Sequence, residues 1–356
     1  MIRISAAIMH HPRRAHRIPP LLRACAPLEP EVVPDPEPDG RPSPLRTAKR
    51  AWAAIGSGAT HHLVLQDDVR LVPGFAGQLY EAVSRRPSYG VSSFCLWHTP
   101  HNSYLVRRAA VAGAAYAPLS PFEWTPTQAF VLPVEHARAL ADYLAGIPDE
   151  VQDDDEMVVI FCRERGIPVV ATVPHLMDHG HAESLVEGHH DGLRATVFTP
   201  DRRWPVDHPS ADLEMAPGPY TVALQDSVCT IRLMYGDPVE HECGWYWYDA
   251  CALAGVDPEE VLDAGATHLS RVPGRALSTM TEVWAACYLL GLDVASSAPS
   301  APSADDWGPL APAAVESWID QGLSRQDHRA LRDDCVRLAL AAVRHGMGER
   351  KFADAF

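Results

Sequence analysis

An apolar run at residues 63–65 is followed by Gln66 and then by two adjacent carboxylates, Asp67 and Asp68. Consecutive large aliphatic side chains bounded by polar residues favour a buried β-strand. In open α/β folds, ligands bind where the strands end at their carboxyl edge. The sequence therefore predicts a ligand site where residues 67–68 leave this strand. Because adjacent carboxylates repel each other, a cation or several hydrogen-bond donors should neutralise them.

Strand-like runs alternate with helical patterns through residues 2–173, which predicts a mostly parallel, Rossmann-type α/β sheet flanked by helices. The predicted strands are residues 2–9, 31–33, 63–65, 91–97, 128–132 and 168–173, and the predicted helices are residues 15–25, 47–55, 74–83, 133–145 and 156–165. Residues 98–111 are expected to form a loop.

The pattern changes after about Met215. Residues 220–235 alternate like strands, and helical patterns follow at 244–254, 279–292, 311–320 and 326–345. We therefore expect an α/β domain at 1–215, an α+β accessory region at 216–294, a Pro/Ser/Ala linker at 295–304 and an α-rich C-terminal part at 305–356.

A formal net charge of −16 argues against bulk binding of nucleic acid or anionic lipid, since those partners require clustered cations. A small anionic ligand held by a few local arginines remains compatible with it. No apolar run approaches the roughly 20 residues that span a bilayer. Residues 2–9 run directly into histidines and arginines, the wrong order for a signal peptide. We expect a cytoplasmic protein without a membrane span.

Two amino-acid usages bear on origin and on redox chemistry. Lysine occurs only at Lys49 and Lys351 while arginine is abundant, a usage typical of GC-rich bacterial or phage genomes. None of the eight cysteines forms a C-x-x-C pair, so buried reduced thiols are expected and not a zinc knuckle or redox dithiol.

Four consecutive acids, residues 153–156, open a predicted helix. Acids at a helix N-terminus interact favourably with the helix dipole and can cap backbone N–H groups. Because four adjacent carboxylates repel one another, a local cation or a raised carboxyl pKa is also expected. The pattern leaves two interpretations open, namely capping with solvated charge and a catalytic carboxylate within the group.

Three histidines, His175, His179 and His181, follow the predicted strand at 168–173. Imidazole suits Mn²⁺ and the later transition metals better than Mg²⁺ or Ca²⁺. The alternative is that they are inert surface side chains. Since another strand end in the chain carries the diacid, we expect at least one of these histidines to contact a metal or a phosphate.

In this order the motifs resemble those of GT-A-type glycosyltransferases, particularly lipopolysaccharide-type enzymes. Residues 63–68 and their spacing to Phe75 are similar to the family's LEDD…F pattern. The family's acid-x-acid motif is altered here to Gln66-Asp67-Asp68. Residues 127–133 and the helix after them resemble its acceptor-side strand and helix. Residues 174–185 resemble its P-x-L-x-x-H-x-G-x-x-S segment, except that His179 is followed directly by glycine. The resemblance covers roughly residues 1–200.

The resemblance implies transfer of a sugar from a nucleotide-sugar donor, UDP- or GDP-linked, to an acceptor hydroxyl with inversion. A divalent ion, Mn²⁺ or Mg²⁺, would neutralise the leaving diphosphate. The implied metal ligands are Asp68 and His179. The implied donor-binding residues are Gln66 and Asp67 near the sugar or ribose, Asp35 at the nucleobase or ribose, and Arg46 and Lys49 at the nucleotide. For the last two, a solvated helix face is the alternative.

An inverting transferase also needs a base that deprotonates the acceptor hydroxyl. The resemblance implies Asp154 or Asp155 in this role, and the sequence does not separate them. Trp97, Trp124 and Gln128 are candidates for the acceptor pocket, with ordinary packing as the alternative for the tryptophans. The acceptor class stays open among a glycan, a natural product, a peptide and a modified nucleobase.

Two other functions remain alternatives. A nucleotidyltransferase would use a similar sheet and metal, but residues 9–14 lack the glycine-rich phosphate loop that such an enzyme usually carries. A non-catalytic protein that binds a sugar or a partner on the same fold is the other, and the intact acids argue against it. The aromatic segment at 240–249 suits packing, acceptor recognition or a homodimer interface.

Overall fold

A computed structural model describes residues 2–151, 153–179, 194–205, 210–234, 244–298 and 307–353, with backbone only for residues 349–353. The chain divides into two compact units, Met1–Leu96 with Pro121–Pro205, and Trp97–Ser120 with Val206–Phe356. This division differs from the predicted boundary near residue 215. None of the helices in the described part of the chain combines the length and the apolar character that a bilayer span requires.

The elements follow one another along the chain. The first unit begins with β1 (Ile4–His10), α1 (Ile18–Cys25), β2 (Glu31–Pro34), α2 (Pro44–Ala53), β3 (His61–Gln66), β4 (Val69–Leu71), α3 (Phe75–Arg85) and β5 (Gly90–Ser92). The second unit then contributes α4 (Asn102–Ala112) and β6 (Tyr116–Pro118). The first unit resumes with β7 (Ala129–Pro133), α5 (Val134–Ala145), α6 (Asp154–Glu164), β8 (Val169–Thr172) and β9 (Met177–His179). The second unit ends with β10 (Tyr220–Gln225), β11 (Val228–Leu233), β12 (Trp245–Tyr246), α7 (Trp247–Ala250), α8 (Pro258–Leu269), α9 (Leu277–Ser297), α10 (Leu310–Gly322) and α11 (Arg325–Ala353).

The first unit contributes six neighbouring strands to a mostly parallel sheet, in the order β2-β1-β3-β7-β5-β8, and has a separate two-stranded sheet of β4 and β9. Among these six strands only β7 is reversed, since it pairs antiparallel with both β3 and β5. The carboxyl ends of the five parallel strands therefore lie at the same edge of the sheet as the start of β7. The predicted α/β fold is confirmed, with flanking helices and the predicted strand positions shifted by a few residues.

One face of this sheet packs on α2, α5 and α6. Trp52 of α2 makes edge-to-face contacts with Phe130 of β7 and with His62 of β3. The His62 ring also bonds the Ser5 hydroxyl and the Ala51 carbonyl, so it is a satisfied core residue. Burial of these side chains fixes the end of β3, and with it the position of the diacid that follows.

Two local predictions between residues 91 and 111 were wrong. The segment 98–111, expected to be a loop, contains helix α4, every residue of which is buried. Its polar side chains are paired inside the second unit, where the Tyr104 hydroxyl donates to Asp293 Oδ2 at 2.8 Å and Arg107 donates to Ser103 Oγ at 2.7 Å. The strand predicted at 91–97 ends at Ser92, because the Ser92 hydroxyl bonds the Phe94 and Pro126 carbonyls and the chain turns away.

The second unit combines an antiparallel β10-β11-β12 sheet with helices. Its central element is α9, in which residues 282–294 are all buried. Helix α11 lies against α9 so closely that a Cβ on Gly346 would collide with the backbone of Tyr288. The strands predicted within 220–235 are confirmed over the described residues, and so are the helices near 279–292, 311–320 and 326–345. The helix predicted at 244–254 begins instead with strand β12 and continues as α7 and a 3₁₀ helix, Cys251–Ala254, and α8 was not predicted.

Candidate functional site

The diacid lies directly after β3, at the carboxyl edge of the first unit's sheet, and both side chains are buried, at 4% exposure for Asp67 and 6% for Asp68. Three donors surround the Asp67 carboxylate. His10 Nδ1 lies 3.0 Å from Oδ2, the His11 backbone N–H donates to Oδ2 at 2.8 Å, and Arg14 donates to Oδ1 at 3.1 Å. The predicted neutralisation of the diacid is therefore achieved for Asp67 by protein groups.

Asp68 is neutralised on one side only. The same Arg14 nitrogen donates to Asp68 Oδ2 at 2.8 Å, and an Arg17 nitrogen donates to the Asp68 backbone carbonyl at 3.2 Å. The other carboxylate atom, Oδ1, is buried and has no hydrogen-bond partner among the described residues. A buried carboxylate oxygen without a partner is costly, so this atom is suited to accept a ligand or a cation.

His179 reaches Asp68 through strand pairing. The short strand β4 begins one residue after Asp68 and pairs antiparallel with β9, which places His179 opposite Val69. His179 Nε2 consequently lies 3.5 Å from Asp68 Oδ2. The structure thus brings together the two residues that were predicted as metal ligands. The next predicted histidine, His181, lies outside the described residues.

The donor set fits a divalent ion that is only partly held by protein. No group of three or more His, Cys, Asp or Glu side chains placed to hold a metal ion occurs within the described ranges. Asp68, whose Oδ1 has no partner in the described part of the chain, and His179 form a pair. Magnesium sites that handle phosphates commonly use one or two protein carboxylates and complete their shell with phosphate oxygens and water, and Mn²⁺ accepts such oxygen ligands as well as imidazole.

Asp154 is the first residue of α6 and is buried, at 4% exposure. Burial, followed by repulsion from Asp155, raises the pKa of Asp154 to about 7, while a hydrogen bond from the Thr127 side chain opposes the shift. Its Oδ2 is another buried atom without a hydrogen-bond partner among the described residues. The capping interpretation holds for Asp155, whose side chain accepts the Glu156 backbone N–H, and not for the N-cap residue Asp153, which makes no side-chain capping bond.

Asp155 differs from its neighbour. It is half-buried, and its Oδ1 accepts a hydrogen bond from the Glu156 backbone at 2.8 Å. Burial raises its pKa to about 6. The two carboxylates that the sequence could not separate are therefore distinct in structure, with Asp154 the more buried and the more perturbed.

Backbone contacts connect these groups along the sheet edge. The Asp35 N–H donates to the His10 carbonyl at 2.8 Å, and the Gln66 N–H donates to the Gln128 carbonyl at 3.0 Å. Since Gln128 follows Thr127, which bonds Asp154, the edge runs continuously from β2 through β1 and β3 to the start of β7. The predicted residues at 35, 66–68, 128 and 154 thus share one edge of the first unit.

Three of the residues predicted to bind the nucleotide are paired with other protein groups. Both Asp35 oxygens accept hydrogen bonds from Arg46, at 3.0 and 3.1 Å, and Arg46 also bonds the carbonyls of Glu37 and Arg41. This buried ion pair holds the loop after β2. It also lowers the pKa of Asp35 against the effect of burial. Lys49 bonds the Ile147 carbonyl and Asp149, beside the loop that follows α5.

The remaining predicted side chains have distinct environments. Gln128 Oε1 is buried without a hydrogen-bond partner in the described part of the chain. Trp124 is half exposed. Trp97 belongs to the second unit. His175 is fully buried, its Nδ1 lies 2.8 Å from the Thr172 carbonyl oxygen, and burial lowers its pKa to about 3, so it stays neutral.

Sequence reasoning missed His10, Arg14 and Thr127. In the sequence, the histidines and arginines after β1 served only to argue against a signal peptide and against a glycine-rich phosphate loop. Their number in a chain of net charge −16 was an available signal, since such a basic group requires acidic partners. Nothing in the sequence near Thr127 indicates that it bonds Asp154.

Comparison with known proteins gives this chain no family. No protein-family model matches it, and no curated protein resembles it at a significant level.

Proposed function

We propose that this chain is a metal-dependent glycosyltransferase that moves a sugar from a nucleotide-sugar donor to an acceptor hydroxyl with inversion. The observation that carries the proposal is the sheet edge, where a buried diacid lies beside His179 and on the same edge as a second buried carboxylate, Asp154. Among the described residues, one oxygen of this diacid, Asp68 Oδ1, has no hydrogen-bond partner. A reaction that expels a diphosphate and deprotonates a hydroxyl needs both kinds of group. A GT-A-type sheet would place them in this order.

On the donor side, the protein supplies position and charge. Asp68 and His179 would hold a divalent ion, which when bound supplies Lewis-acid stabilisation of the leaving diphosphate. Asp67 is held rigidly by His10, the His11 N–H and Arg14, so it is suited to orient the ribose or the sugar. Gln66 and Gln128, paired through their backbones, lie next to it.

On the acceptor side, we assign the base to Asp154 in preference to Asp155. A base works best when its pKa lies near the working pH, and burial brings the pKa of Asp154 to about 7. The Thr127 hydroxyl, through its hydrogen bond, and the rigid first turn of α6 hold the carboxyl group in place. The exposed Trp124 is suited to stack on a sugar acceptor.

The test is a panel of UDP- and GDP-sugars with Mn²⁺ or Mg²⁺, in which release of the free nucleoside diphosphate is measured. We expect metal-dependent donor hydrolysis that Asp68→Asn reduces at least about 100-fold, the scale of losing a charge-stabilising group. Asp142→Asn, an exposed acid on α5, is the matched control and should keep full activity. Calorimetry should show nucleotide binding that requires the metal.

The proposal fails if none of these nucleotides binds, or if binding and hydrolysis are the same with and without metal. Binding of a sugar with no donor hydrolysis by any panel member would instead support a non-catalytic binding protein.

A further inference from the structure

The first unit carries a basic segment, residues 10–17, in a protein with a large excess of acids. Six of its eight residues are histidine or arginine, and it includes a 3₁₀ helix, Pro12–Arg17. Its contacts with the diacid come from His10, the His11 backbone, Arg14 and Arg17. The segment therefore surrounds the diacid with positive charge and hydrogen-bond donors.

Within this segment, Arg14 contacts the carboxylates of both Asp67 and Asp68. One of its guanidinium nitrogens lies 3.1 Å from Asp67 Oδ1 and 2.8 Å from Asp68 Oδ2, so a single positive charge bridges both carboxylates. Its side chain is only 13% exposed. Arg14 thus neutralises two adjacent carboxylates with one cation, as a bound divalent ion would do in its place.

We propose that Arg14 is an internal counter-cation of the diacid that competes with a divalent cation for Asp68, so that metal binding requires Arg14 to release Asp68. The inference rests on the metal site of the proposed function. Arg14 and an ion coordinated by Asp68 would be two cations on one carboxylate in a buried environment, where repulsion between like charges is weakly screened. Once released, the planar guanidinium is suited to pair with the phosphates that accompany the ion.

Asp67 and Asp68 would be affected differently by this exchange. Asp67 keeps His10 and the His11 N–H when Arg14 leaves, so it retains its hydrogen bonds. Asp68 loses its Arg14 contact, and its Oδ1, which no described residue bonds, is then available to the incoming ion beside His179. In this exchange Asp67 keeps its partners, whereas Asp68 exchanges Arg14 for the divalent ion.

The experiment measures Mn²⁺ affinity without nucleotide, from the electron paramagnetic resonance signal of the free ion at pH 7.5. We expect Arg14→Gln to bind Mn²⁺ about 10-fold or more tightly than the wild type, because removing the bridging cation leaves the Asp68 carboxylate without its arginine partner. Arg14→Met, of similar length and also uncharged, should show the same gain. Arg14→Lys keeps the charge and should stay within about 3-fold of the wild type.

Arg13→Gln is the matched control, since Arg13 is the exposed neighbour of Arg14 and its substitution should leave Mn²⁺ affinity unchanged. Adding Asp68→Asn to Arg14→Gln should abolish the gain and so locate it at the diacid. Circular dichroism establishes that each variant is folded. Unchanged or weaker Mn²⁺ binding by folded Arg14→Gln or Arg14→Met overturns the inference.

Titration of the same variants with UDP and GDP separates this inference from the proposed function. If Arg14→Gln gains Mn²⁺ affinity while neither nucleotide binds, the counter-cation role stands and the glycosyltransferase proposal fails. If nucleotides bind with metal but the Arg14 variants show no gain in Mn²⁺ affinity, the counter-cation role fails and the glycosyltransferase proposal stands.

Discussion

The Asp154 carboxyl group is buried in the first unit, and burial makes its ionisation unfavourable. Since burial raises its pKa from 3.8 to about 7, the folded protein holds the proton more tightly than the unfolded chain does. The associated stability is fully present below pH 3.8 and is lost as the pH rises to about 7. Asp154, the base of the proposed function, therefore lowers the stability of the protein at neutral pH.

Asp154→Asn is expected to stabilise the protein at alkaline pH, because asparagine has no charge to bury. A shift from 3.8 to about 7 corresponds to about 4 kcal/mol at pH 8, falling below about 1 kcal/mol near pH 4. Urea unfolding of the wild type and the variant at pH 4, 6 and 8 measures this difference. Asp153→Asn, an exposed acid next to it, is the control. An Asp154→Asn effect that does not change with pH would contradict the assignment of the raised pKa.

At the scale of single residues, the sequence pointed to particular acids as candidates but not to the groups that contact them. Asp67, Asp68 and Asp154 could be predicted, because a strand end and a helix start are local patterns. The Arg14 contacts join residues 53 and 54 positions apart and depend on β1 and β3 being neighbours. The difference between Asp154 and Asp155 depends on burial by the rest of the unit, which no local pattern encodes.

Helices could be predicted from the sequence where one face is apolar, and strands where a short apolar run is buried. The strands of the first unit follow this rule, and their order could not be read from the runs themselves, because β7 reverses between β3 and β5. Helix α4 was missed because it is buried on all sides and carries polar residues whose partners come from distant elements. Without an exposed polar face it shows no amphipathic period.

The packing of α11 on α9 depends on a glycine. A Cβ on Gly346 would collide with the Tyr288 carbonyl oxygen and lie 2.9 Å from the Leu292 nitrogen, both backbone atoms of α9. We expect Gly346→Ala to lower the free energy of unfolding by about 3 kcal/mol, because backbone cannot yield as a flexible side chain does.

Gly348 provides a matched control on the same helix. It is exposed, and a Cβ added there would have no atom within 4 Å, so Gly348→Ala should stabilise α11 by about 0.5–1 kcal/mol through helix propensity. Chemical denaturation of both variants measures the contrast. Equal effects of the two substitutions would show that α9 and α11 do not pack as described.

The molecule as a whole contains two compact units, each with its own buried core. In the first unit the core includes Trp52, Phe130 and Phe161, and in the second it includes Trp284 and Trp318. The chain crosses between the units at residues 96–97, 120–121 and 205–206. The proposed site is built from residues of the first unit, so damage to the second core need not abolish cation binding.

We expect calorimetric scans to separate the two units when one of them is destabilised. Gly346→Ala should lower the temperature of one transition, and Gly90→Ala should lower that of the other, because a Cβ on Gly90 would lie 2.8 Å from the buried Phe130 ring. Mn²⁺ at saturating concentration should raise only the transition that Gly90→Ala lowers, since ligand binding stabilises the unit that holds the ligand. A single transition that both substitutions and Mn²⁺ shift alike would mean that the units unfold together and that their cores are not energetically separate.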